Sequence, residues 1–248
     1  MEKFIKSLAR GAGKILREGF RTKFKINHKS APWDVVTEFD LASEKFIMDK
    51  IRKKFPTHGI MSEESGLVIK AKNMWVIDPL DGTRGFSRGL PQYSVSIAFV
   101  ENNTIKLGAI YDPSHDELFY AKNKKGAFLN NKRIKVHHAL ELDHTLASLH
   151  IAFHNPVRSR VYKNAVEQNI FPVNLTSIAL SAAQVAAGRI ETIISAGLNP
   201  WDYCAAAIIL KEAGAKVTDL KGQPYRWDSK EMVAGNPVIH KKLIKLVH

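Results

Sequence analysis

The chain has 248 residues, of which 45% are hydrophobic and 25% charged, a composition typical of a globular protein with one large domain or two smaller ones. Its net charge of +13 favours anionic partners, but the lysines and arginines are spread along the whole chain and match no common nucleic-acid-binding pattern, so nucleic acid is not indicated beyond the charge itself. Cys204 is the only cysteine, which excludes an intrachain disulfide and leads us to expect a cytoplasmic protein, and no apolar run approaches the roughly 18 residues of a membrane span.

The first predicted element is an amphipathic helix at the N-terminus. Apolar residues recur there at helical spacing, with basic residues between them: Phe4, Ile5, Leu8, Ala12, Ile15, Leu16 and Phe20. The segment has no compact apolar stretch, so it is not a secretory signal. A transit peptide and a membrane-surface helix are the alternatives, but Glu2 and Glu18 on the polar face favour a helix docked on its own domain.

The rest of the first half predicts a second helix and then an antiparallel meander. Residues 27–40 form a polar connection, and Thr37 lies near the start of the second helix. A turn at residues 101–103 and another at Asn130-Asn131 separate strands of alternating or continuous apolar character. The predicted strands are residues 74–77, 93–100, 104–112, 117–121 and 126–130.

After about residue 135, short strands alternate with helices, which is an α/β pattern. The predicted strands are residues 145–151, 172–175, 190–195 and 215–220, and the predicted helices lie near residues 156–169, 177–188, 201–214 and from about 237. We therefore expect an N-terminal α+β subdomain over residues 1–138 and a C-terminal α/β subdomain over residues 139–248. A cleft between two such units is a usual place for an active site.

The segment Met74–Phe86 places two carboxylates at the end of a buried strand. Pro79 cannot donate to a strand ladder, so the strand ends between Asp78 and Asp81, and Gly82 begins a tight turn or a helix. Buried carboxylates are costly unless they are paired or bind a metal, and the N–H groups of the following turn attract an anion. The segment offers oxygen ligands for Mg²⁺ and donors for a phosphate, but a capped turn with exposed aspartates fits these residues alone equally well.

Three further segments carry acidic residues that could join this site. Glu63 and Glu64 follow an apolar pair in GIMSEESG, Asp34 and Asp40 stand in DVVTEFD, and Asp202 lies at the start of an alanine-rich helix. Each segment also has a purely structural interpretation, as a solvated loop, a first-turn acid or a helix N-cap. The combination is more informative than any one of the segments.

Together, these motifs resemble those of the magnesium-dependent, lithium-sensitive inositol monophosphatase superfamily. Its patterns D-x-V-T-x-x-D, G-x-x-x-E-E-S, W-x-x-D-P-x-D-G-T-x-x-F and W-D with E-A-G stand here, in the same order, as DVVTEFD, GIMSEESG, WVIDPLDGTRGF and WDYCAAAIILKEAG. The resemblance covers about residues 1–245. It implies a mixed α+β and α/β fold, the five-layered α/β/α/β/α sandwich, a homodimer, and hydrolysis of a phosphomonoester by a water molecule that bound metal activates.

The resemblance also implies a set of metal ligands. Glu63, Asp78 and the backbone carbonyl of Leu80 would hold a first Mg²⁺, and Asp78, Asp81 and Asp202 would hold a second. A third, weaker Mg²⁺ near Glu63 is typical of the family. The N-terminal subdomain would then supply most of the ligands and the C-terminal subdomain would supply Asp202.

The implied catalytic residues are Thr83, Asp40 and Glu63. Gly82 and Thr83 would cradle the phosphate through their backbone N–H groups, and Thr83, hydrogen-bonded to Asp40, would help to activate the attacking water. The enzyme's work would be mainly positioning and charge neutralisation, because phosphate monoesters hydrolyse extremely slowly without a catalyst. No covalent enzyme intermediate is needed.

Two positions depart from the family pattern and bear on the substrate. The expected substrate- and phosphate-binding residues are Asp81, Gly82, Thr83, Ser195 and Asp202. Inositol-specific members often have a glutamate at the position of Ser195, where it binds ring hydroxyls, and many have asparagine at the position of Gly85. We expect inositol monophosphate or a similar small phosphorylated polyol or sugar. The alternatives are a 3′(2′),5′-bisphosphate nucleotide, fructose 1,6-bisphosphate or histidinol phosphate, and an RNA- or protein-binding regulatory member of the fold.

Overall fold

The computed structural model describes residues 1–29, 31 and 34–248. The helices are α1 (Glu2–Gly19), α2 (Glu38–Lys54), α3 (Thr83–Phe86), α4 (Arg158–Glu167), α5 (Ile178–Ala186), α6 (Pro200–Glu212) and α7 (Pro237–Val247). The strands are β1 (Ile26–His28), β2 (Val35–Thr37), β3 (Gly59–Ser62), β4 (Gly66–Ile69), β5 (Asn73–Asp81), β6 (Ser94–Glu101), β7 (Thr104–Asp112), β8 (Glu117–Lys122), β9 (Gly126–Leu129), β10 (Lys132–Ile134), β11 (Leu146–Ile151), β12 (Phe171–Pro172), β13 (Thr192–Ala196), β14 (Lys216–Thr218) and β15 (Glu231–Gly235). Within the described ranges, no helix is long and apolar enough to cross a lipid bilayer.

The larger sheet has eight strands in the order β10-β9-β8-β7-β6-β5-β3-β4. Strands β5 to β9 form the predicted antiparallel meander, and β10 extends it by one strand that the sequence did not predict. Strand β3 pairs with β5 in parallel. Asn102-Asn103 and Asn130-Asn131 adopt positive φ values at the two predicted turns, because asparagine tolerates the left-handed region. The sequence did not predict β3 and β4, which are only four residues long and lack a periodic pattern.

Strand β6 is buried on both faces by two different cores. Val95, Ile97 and Phe99 pack in the core that α1 and α2 cover. Ala98 and Val100, which point to the opposite face, pack in a second core with α5 and α6. The large sheet is therefore covered by helices on both sides.

Helix α1 docks on its own domain, as predicted. Ile5, Leu8, Ala12 and Leu16 are buried against α2 and the strands β6 and β7. The polar connection that follows contains a short antiparallel pair, β1 with β2, which the sequence did not predict. Residues 30, 32 and 33 of this connection lie outside the described part of the chain.

The smaller sheet has five strands in the order β12-β11-β13-β15-β14. Strands β12, β11 and β13 are parallel, while β15 is antiparallel to both of its neighbours. The predicted strand at residues 172–175 is reduced to Phe171–Pro172, because Pro172 has no N–H to continue a ladder. Strand β15 was missed, since its five residues follow a polar loop with no turn-to-strand signal.

Three separate hydrophobic cores show that the elements are stacked in five layers. One core joins α1 and α2 to the large sheet, a second joins both sheets to α5 and α6, and a third joins the small sheet to α4 and α7. The order of layers is therefore α/β/α/β/α, which confirms the predicted fold. Because α5 and α6 pack against both sheets, the boundary between residues 138 and 139 stays a prediction.

Candidate active site

Three buried carboxylates meet where the two sheets approach each other. Asp78 and Asp81 lie at the end of β5, and Asp202 lies in the first turn of α6. One carboxylate oxygen from each lies within 4.8 Å of the others. Their exposed fractions are 1%, 5% and 8%, so the cluster is almost fully removed from solvent.

An irregularity in β5 turns Asp78 and Asp81 toward the same place. The pairing register between β5 and β6 shifts between these two residues, so side chains that would otherwise point to opposite faces can converge. Pro79 lies inside this bulge, and its carbonyl accepts a hydrogen bond of 2.8 Å from Ser43 Oγ on α2. Leu80 N donates to Asp78 Oδ1 at 3.1 Å, which fixes the carboxylate.

Two of the carboxylates are also held by helix N-termini. Asp81 Oδ2 accepts hydrogen bonds of 2.6 Å from Ser177 Oγ and from Ala179 N in the first turn of α5. Asp202 Oδ2 accepts one of 2.6 Å from Asn199 N in the capping box of α6. A capping role for Asp202 and a place in the carboxylate cluster are thus compatible, because a carboxylate has two oxygens.

Glu63 and Glu64 share one lysine at the edge of the site. Lys29 Nζ lies 3.0 Å from Glu63 Oε1 and 2.6 Å from Glu64 Oε1. Glu63 lines the same cavity as the three aspartates and interacts with Asp78. Burial raises the pKa of Glu64 to about 7, against the opposing effect of Lys29.

Asp40 and Thr83 are hydrogen-bonded to each other. Thr83 Oγ1 lies 2.9 Å from Asp40 Oδ1 and 2.9 Å from the Leu80 carbonyl oxygen. The other oxygen of Asp40 accepts hydrogen bonds from Thr37 N at 2.8 Å and Thr37 Oγ1 at 2.5 Å, in the capping box that begins α2. Burial raises the pKa of Asp40 to about 6, although these hydrogen bonds act in the opposite direction.

Gly82 forms the turn between β5 and α3. Its φ of +94° is strained for residues with a side chain, and a Cβ there would lie 2.8 Å from the Gln92 carbonyl oxygen. Gly85, two residues beyond Thr83, also fits only without a side chain, because a Cβ would lie 2.2 Å from Thr176 Oγ1. Glycine, and not the asparagine of the family pattern, therefore allows α3 to approach the segment before α5 closely at Gly85.

The electrostatics of the cluster favour a bound cation. Burial is the largest effect on all three aspartates, followed for Asp78 and Asp202 by the charges of neighbouring carboxylates. These effects raise the pKa of Asp78 and Asp202 well above the usual range and the pKa of Asp81 to about 6. Converging, buried carboxylate oxygens are the donor set that a hard divalent ion such as Mg²⁺ requires, so the residues fit the expected metal.

A cavity of about 460 Å³ opens beside the cluster, and its second wall was not predicted from the sequence. The wall residues come from β11, α4 and the segments next to them: His150, Phe153, Arg158, Tyr162 and Asn174. Asn174 and Tyr162 are fixed to the backbone of Leu149 by hydrogen bonds of 2.7 to 2.9 Å. The only sequence signal for this wall is that ligands often bind at the carboxyl ends of parallel strands.

Ser195 does not lie in this cavity wall, which corrects its place among the expected substrate contacts. Its side chain is fully buried, donates to the His150 carbonyl oxygen at 2.8 Å and lies 3.0 Å from the Tyr203 hydroxyl. The other expected substrate- and phosphate-binding residues, Asp81, Gly82, Thr83 and Asp202, all line the cavity. Asp34 also lines it.

The whole chain, residues 1–248, matches the model of the inositol monophosphatase family. The fructose-1,6-bisphosphatase/inositol-1-monophosphatase of Thermotoga maritima is 38% identical over 247 residues, covering 99% of this chain and 94% of the relative. The Nus factor SuhB of Pasteurella multocida is 36% identical over 248 residues, covering 96% of this chain and 92% of the relative. These relatives differ in the function that their names describe.

A solved structure has the same fold. The extragenic suppressor protein SuhB of Bartonella henselae superposes with a TM-score of 0.93 at 30% identity, and the superposition covers 99% of this chain and 97% of that one. The agreement over nearly the whole length supports the five-layered architecture derived above from the three hydrophobic cores.

Proposed function

Because the chain belongs to the inositol monophosphatase family of phosphatases, we propose that it is a Mg²⁺-dependent phosphomonoesterase that hydrolyses inositol monophosphate. The observation that carries this proposal is the convergence of Asp78, Asp81 and Asp202 in one cavity with the turn at Gly82 and Thr83. The carboxylates supply cation ligands, and the turn supplies N–H donors for the phosphate of the substrate.

The proposed metal ligands are those that the family resemblance implies, and the carboxylate cluster and the cavity lining support them. Asp78, Asp81 and Asp202 would hold one Mg²⁺, and Asp78 with Glu63 and the Leu80 carbonyl would hold another. A third, weaker ion is proposed near Glu63. Bound Mg²⁺ lowers the pKa of a water molecule and neutralises charge on the phosphoryl oxygens.

In this proposal, Thr83 orients the attacking water. Its hydroxyl has one proton, and both nearby acceptors, Asp40 Oδ1 and the Leu80 carbonyl oxygen, can take it. The lone pairs of Thr83 Oγ1 are then left to accept a hydrogen bond from the water. Asp40 fixes this arrangement because its other oxygen is held by Thr37.

A second candidate substrate is a sugar bisphosphate, favoured by Arg158 in the cavity wall. Its guanidinium carbon lies 4.3 Å from the centroid of the Phe153 ring and 5.2 Å from that of Tyr162, and its Nη1 donates to the Ile151 carbonyl oxygen. No acidic residue in the described ranges forms an ion pair with it. A fixed guanidinium of this kind suits a second phosphate, and the Thermotoga maritima relative is named for both activities.

A panel of phosphate esters tests these proposals. Phosphate release is measured with Mg²⁺ for inositol 1-phosphate, fructose 1,6-bisphosphate, 3′-phosphoadenosine 5′-phosphate and histidinol phosphate, with an EDTA sample and the Asp78→Asn variant alongside. Asp49→Asn is the matched control, because Asp49 is exposed on α2 and forms a salt bridge with Lys45. We expect turnover of inositol 1-phosphate that EDTA and Asp78→Asn abolish and that Asp49→Asn leaves intact.

The Arg158→Met variant separates the two candidate substrates. It should lower kcat/KM for fructose 1,6-bisphosphate by about ten- to hundredfold and for inositol 1-phosphate by much less. If no ester is hydrolysed although Mg²⁺ binds, the enzymatic proposal is wrong. The regulatory alternative is then tested by RNA retention that falls with salt and survives Asp78→Asn.

The oligomeric state, the lithium sensitivity and the cellular compartment are proposed from the family resemblance. We propose a cytoplasmic, lithium-sensitive homodimer, since this is what the family resemblance implies for a chain whose one cysteine is buried. Sedimentation of the pure protein tests the dimer, and inhibition of phosphate release by Li⁺ but not Na⁺ at equal ionic strength tests the sensitivity.

A further inference from the structure

His150 lines the same cavity as the three aspartates, and the proposed mechanism gives it no role. It lies near the carboxyl end of β11, where its backbone pairs in register with Ser195 of β13. Because side chains at paired positions of parallel strands point to the same face, His150 and Ser195 both point toward the helical layer of α5 and α6. Only the longer imidazole reaches the cavity.

The contacts of Ser181 bear on which ring nitrogen of His150 carries the proton. Ser181 Oγ lies 2.8 Å from the Ser177 carbonyl oxygen and 2.9 Å from His150 Nε2, and it has one proton to donate. The carbonyl oxygen can only accept, so when Ser181 donates to it, the hydroxyl accepts from Nε2. The tautomer that this inference assigns to His150 therefore carries its proton on Nε2.

The other nitrogen, Nδ1, is left as an acceptor. A neutral imidazole with a proton on Nε2 has a lone pair on Nδ1, and no residue in the described ranges hydrogen-bonds to it. Burial lowers the pKa of His150 to about 4, so the ring is neutral at physiological pH. The half-buried ring thus presents an uncharged acceptor to the cavity.

His150 provides the cavity with a hydrogen-bond acceptor that Ser195 does not provide. Ser195 has a short side chain turned toward Tyr203, and it is not among the residues that line the cavity. His150, one strand away at the paired position, supplies an acceptor from the neighbouring strand instead. The hydrogen bond between His150 Nε2 and Ser181 Oγ favours this orientation of the ring.

We propose that His150 is a specificity-determining residue whose Nδ1 accepts a hydrogen bond from a hydroxyl group of the leaving alcohol. The inference rests on the proposed phosphomonoesterase function and narrows its substrate class to esters of polyhydroxy alcohols. A neutral acceptor suits such a substrate because it binds a hydroxyl without adding negative charge beside the carboxylate cluster and the phosphate.

Two substrates and three variants test this role. Inositol 1-phosphate carries hydroxyls next to the ester, whereas cyclohexyl phosphate has a similar ring with none. His150→Phe removes both nitrogens and keeps most of the volume, His150→Asn keeps an acceptor near the position of Nδ1, and His150→Gln keeps only the contact with Ser181. His154→Phe is the matched control, because His154 is exposed on the next loop.

We expect His150→Phe to lower kcat/KM for inositol 1-phosphate by about ten- to hundredfold, mostly through KM, since the substrate hydroxyl then loses its partner. For cyclohexyl phosphate the change should stay within about twofold. His150→Asn should retain most of the selectivity for inositol 1-phosphate, and His150→Gln should lose it. His154→Phe should resemble the unmodified protein with both esters.

The outcomes separate this inference from the proposed function. Turnover of both esters with equal losses in His150→Phe, or with no loss, overturns the role of His150 and leaves the phosphatase proposal standing. Turnover of neither ester by the unmodified protein contradicts the phosphatase proposal itself. In that case ¹⁵N NMR of the histidine rings still decides the tautomer, and a proton on His150 Nδ1 would overturn the inference.

Discussion

Replacing Asp81 by asparagine should stabilise the metal-free protein above neutral pH while abolishing hydrolysis. Burial raises the pKa of Asp81 from 3.8 to about 6, so the folded state binds this proton more tightly than the unfolded state does. The stability that protonation contributes is complete below about pH 4 and is lost as the pH rises through about 6. Two pKa units correspond to ~3 kcal/mol, and a side chain that is 5% exposed needs little discount for solvent screening.

Asparagine removes the charge and keeps an oxygen that can accept from Ser177 Oγ and Ala179 N. In EDTA at about pH 8, Asp81→Asn should therefore raise the free energy of unfolding by up to ~3 kcal/mol. Below about pH 3 the gain should vanish, because Asp81 is then protonated in both the folded and the unfolded state. With Mg²⁺ the unmodified protein should be more stable than Asp81→Asn, since only the unmodified protein gains stability from metal binding.

Urea unfolding across this pH range, with EDTA and with Mg²⁺, measures all of these quantities. Asp49→Asn is the control, because Asp49 is exposed and lies outside the cluster. A variant Asp81→Asn that is less stable than the unmodified protein by the same amount at every pH in EDTA would refute the reasoning. The cluster would then not be electrostatically strained, and the argument that it is built for a cation would fail.

Three other substitutions test single contacts of the site. Thr83→Val should lower kcat by about a hundredfold with Mg²⁺ affinity retained, and Thr83→Ser should keep most of the activity, because only the hydroxyl orients the water. Gly85→Asn should cost about 1–3 kcal/mol of stability through its clash with Thr176, and adding Thr176→Gly should recover part of it. Ser177→Ala should cost about 1–2 kcal/mol as a lost N-cap and weaken Mg²⁺ binding, because Ser177 orients Asp81.

The control for Ser177→Ala is a serine on the surface. Ser7→Ala, on the exposed side of α1, should change neither stability nor Mg²⁺ affinity. Kinetic assays over a range of Mg²⁺ concentrations and thermal unfolding give both readouts. Full activity in Thr83→Val would contradict the role of the Thr83 hydroxyl in orienting the water. Equal stability of Gly85→Asn and the unmodified protein would contradict the predicted clash with Thr176.

The positions of the acidic residues within their strand and helix could be predicted, because neighbouring residues carry local signals of secondary structure. Pro79 marks the irregularity in β5 between Asp78 and Asp81, although the strand continues to Asp81 and does not end at Pro79 as predicted. Pro200 marks the first turn of the helix that carries Asp202. The five-layered fold followed from the family resemblance and is confirmed by the three hydrophobic cores. At these segments, the secondary structure that the local sequence favours is compatible with the fold of the whole chain.

The second wall of the cavity could not be predicted in the same way. His150, Arg158 and Asn174 are far apart in the sequence and meet only because β11, α4 and the segment before α5 pack together. No local motif marks such residues, since each also suits an ordinary strand, helix or loop. Ser195 shows the converse error: its family position implied a substrate contact, but its short side chain is turned into the core.

Three carboxylates of the site are bound at helix N-termini, and this explains how the fold tolerates them. Asp40 and Asp202 each occupy the third position of a helix, in capping boxes at the starts of α2 and α6, and Asp81 accepts an N–H from the first turn of α5. A helix N-terminus stabilises a nearby anion by about 0.3–1 kcal/mol, and by up to ~2 kcal/mol when partly buried. Burying an ion costs several kcal/mol, so burial is the larger effect, and the pKa values of all three remain raised. The capping hydrogen bonds thus hold the carboxylates in position, but they do not offset the full cost of burying the negative charge. A cation bound at the cluster would neutralise the remaining charge.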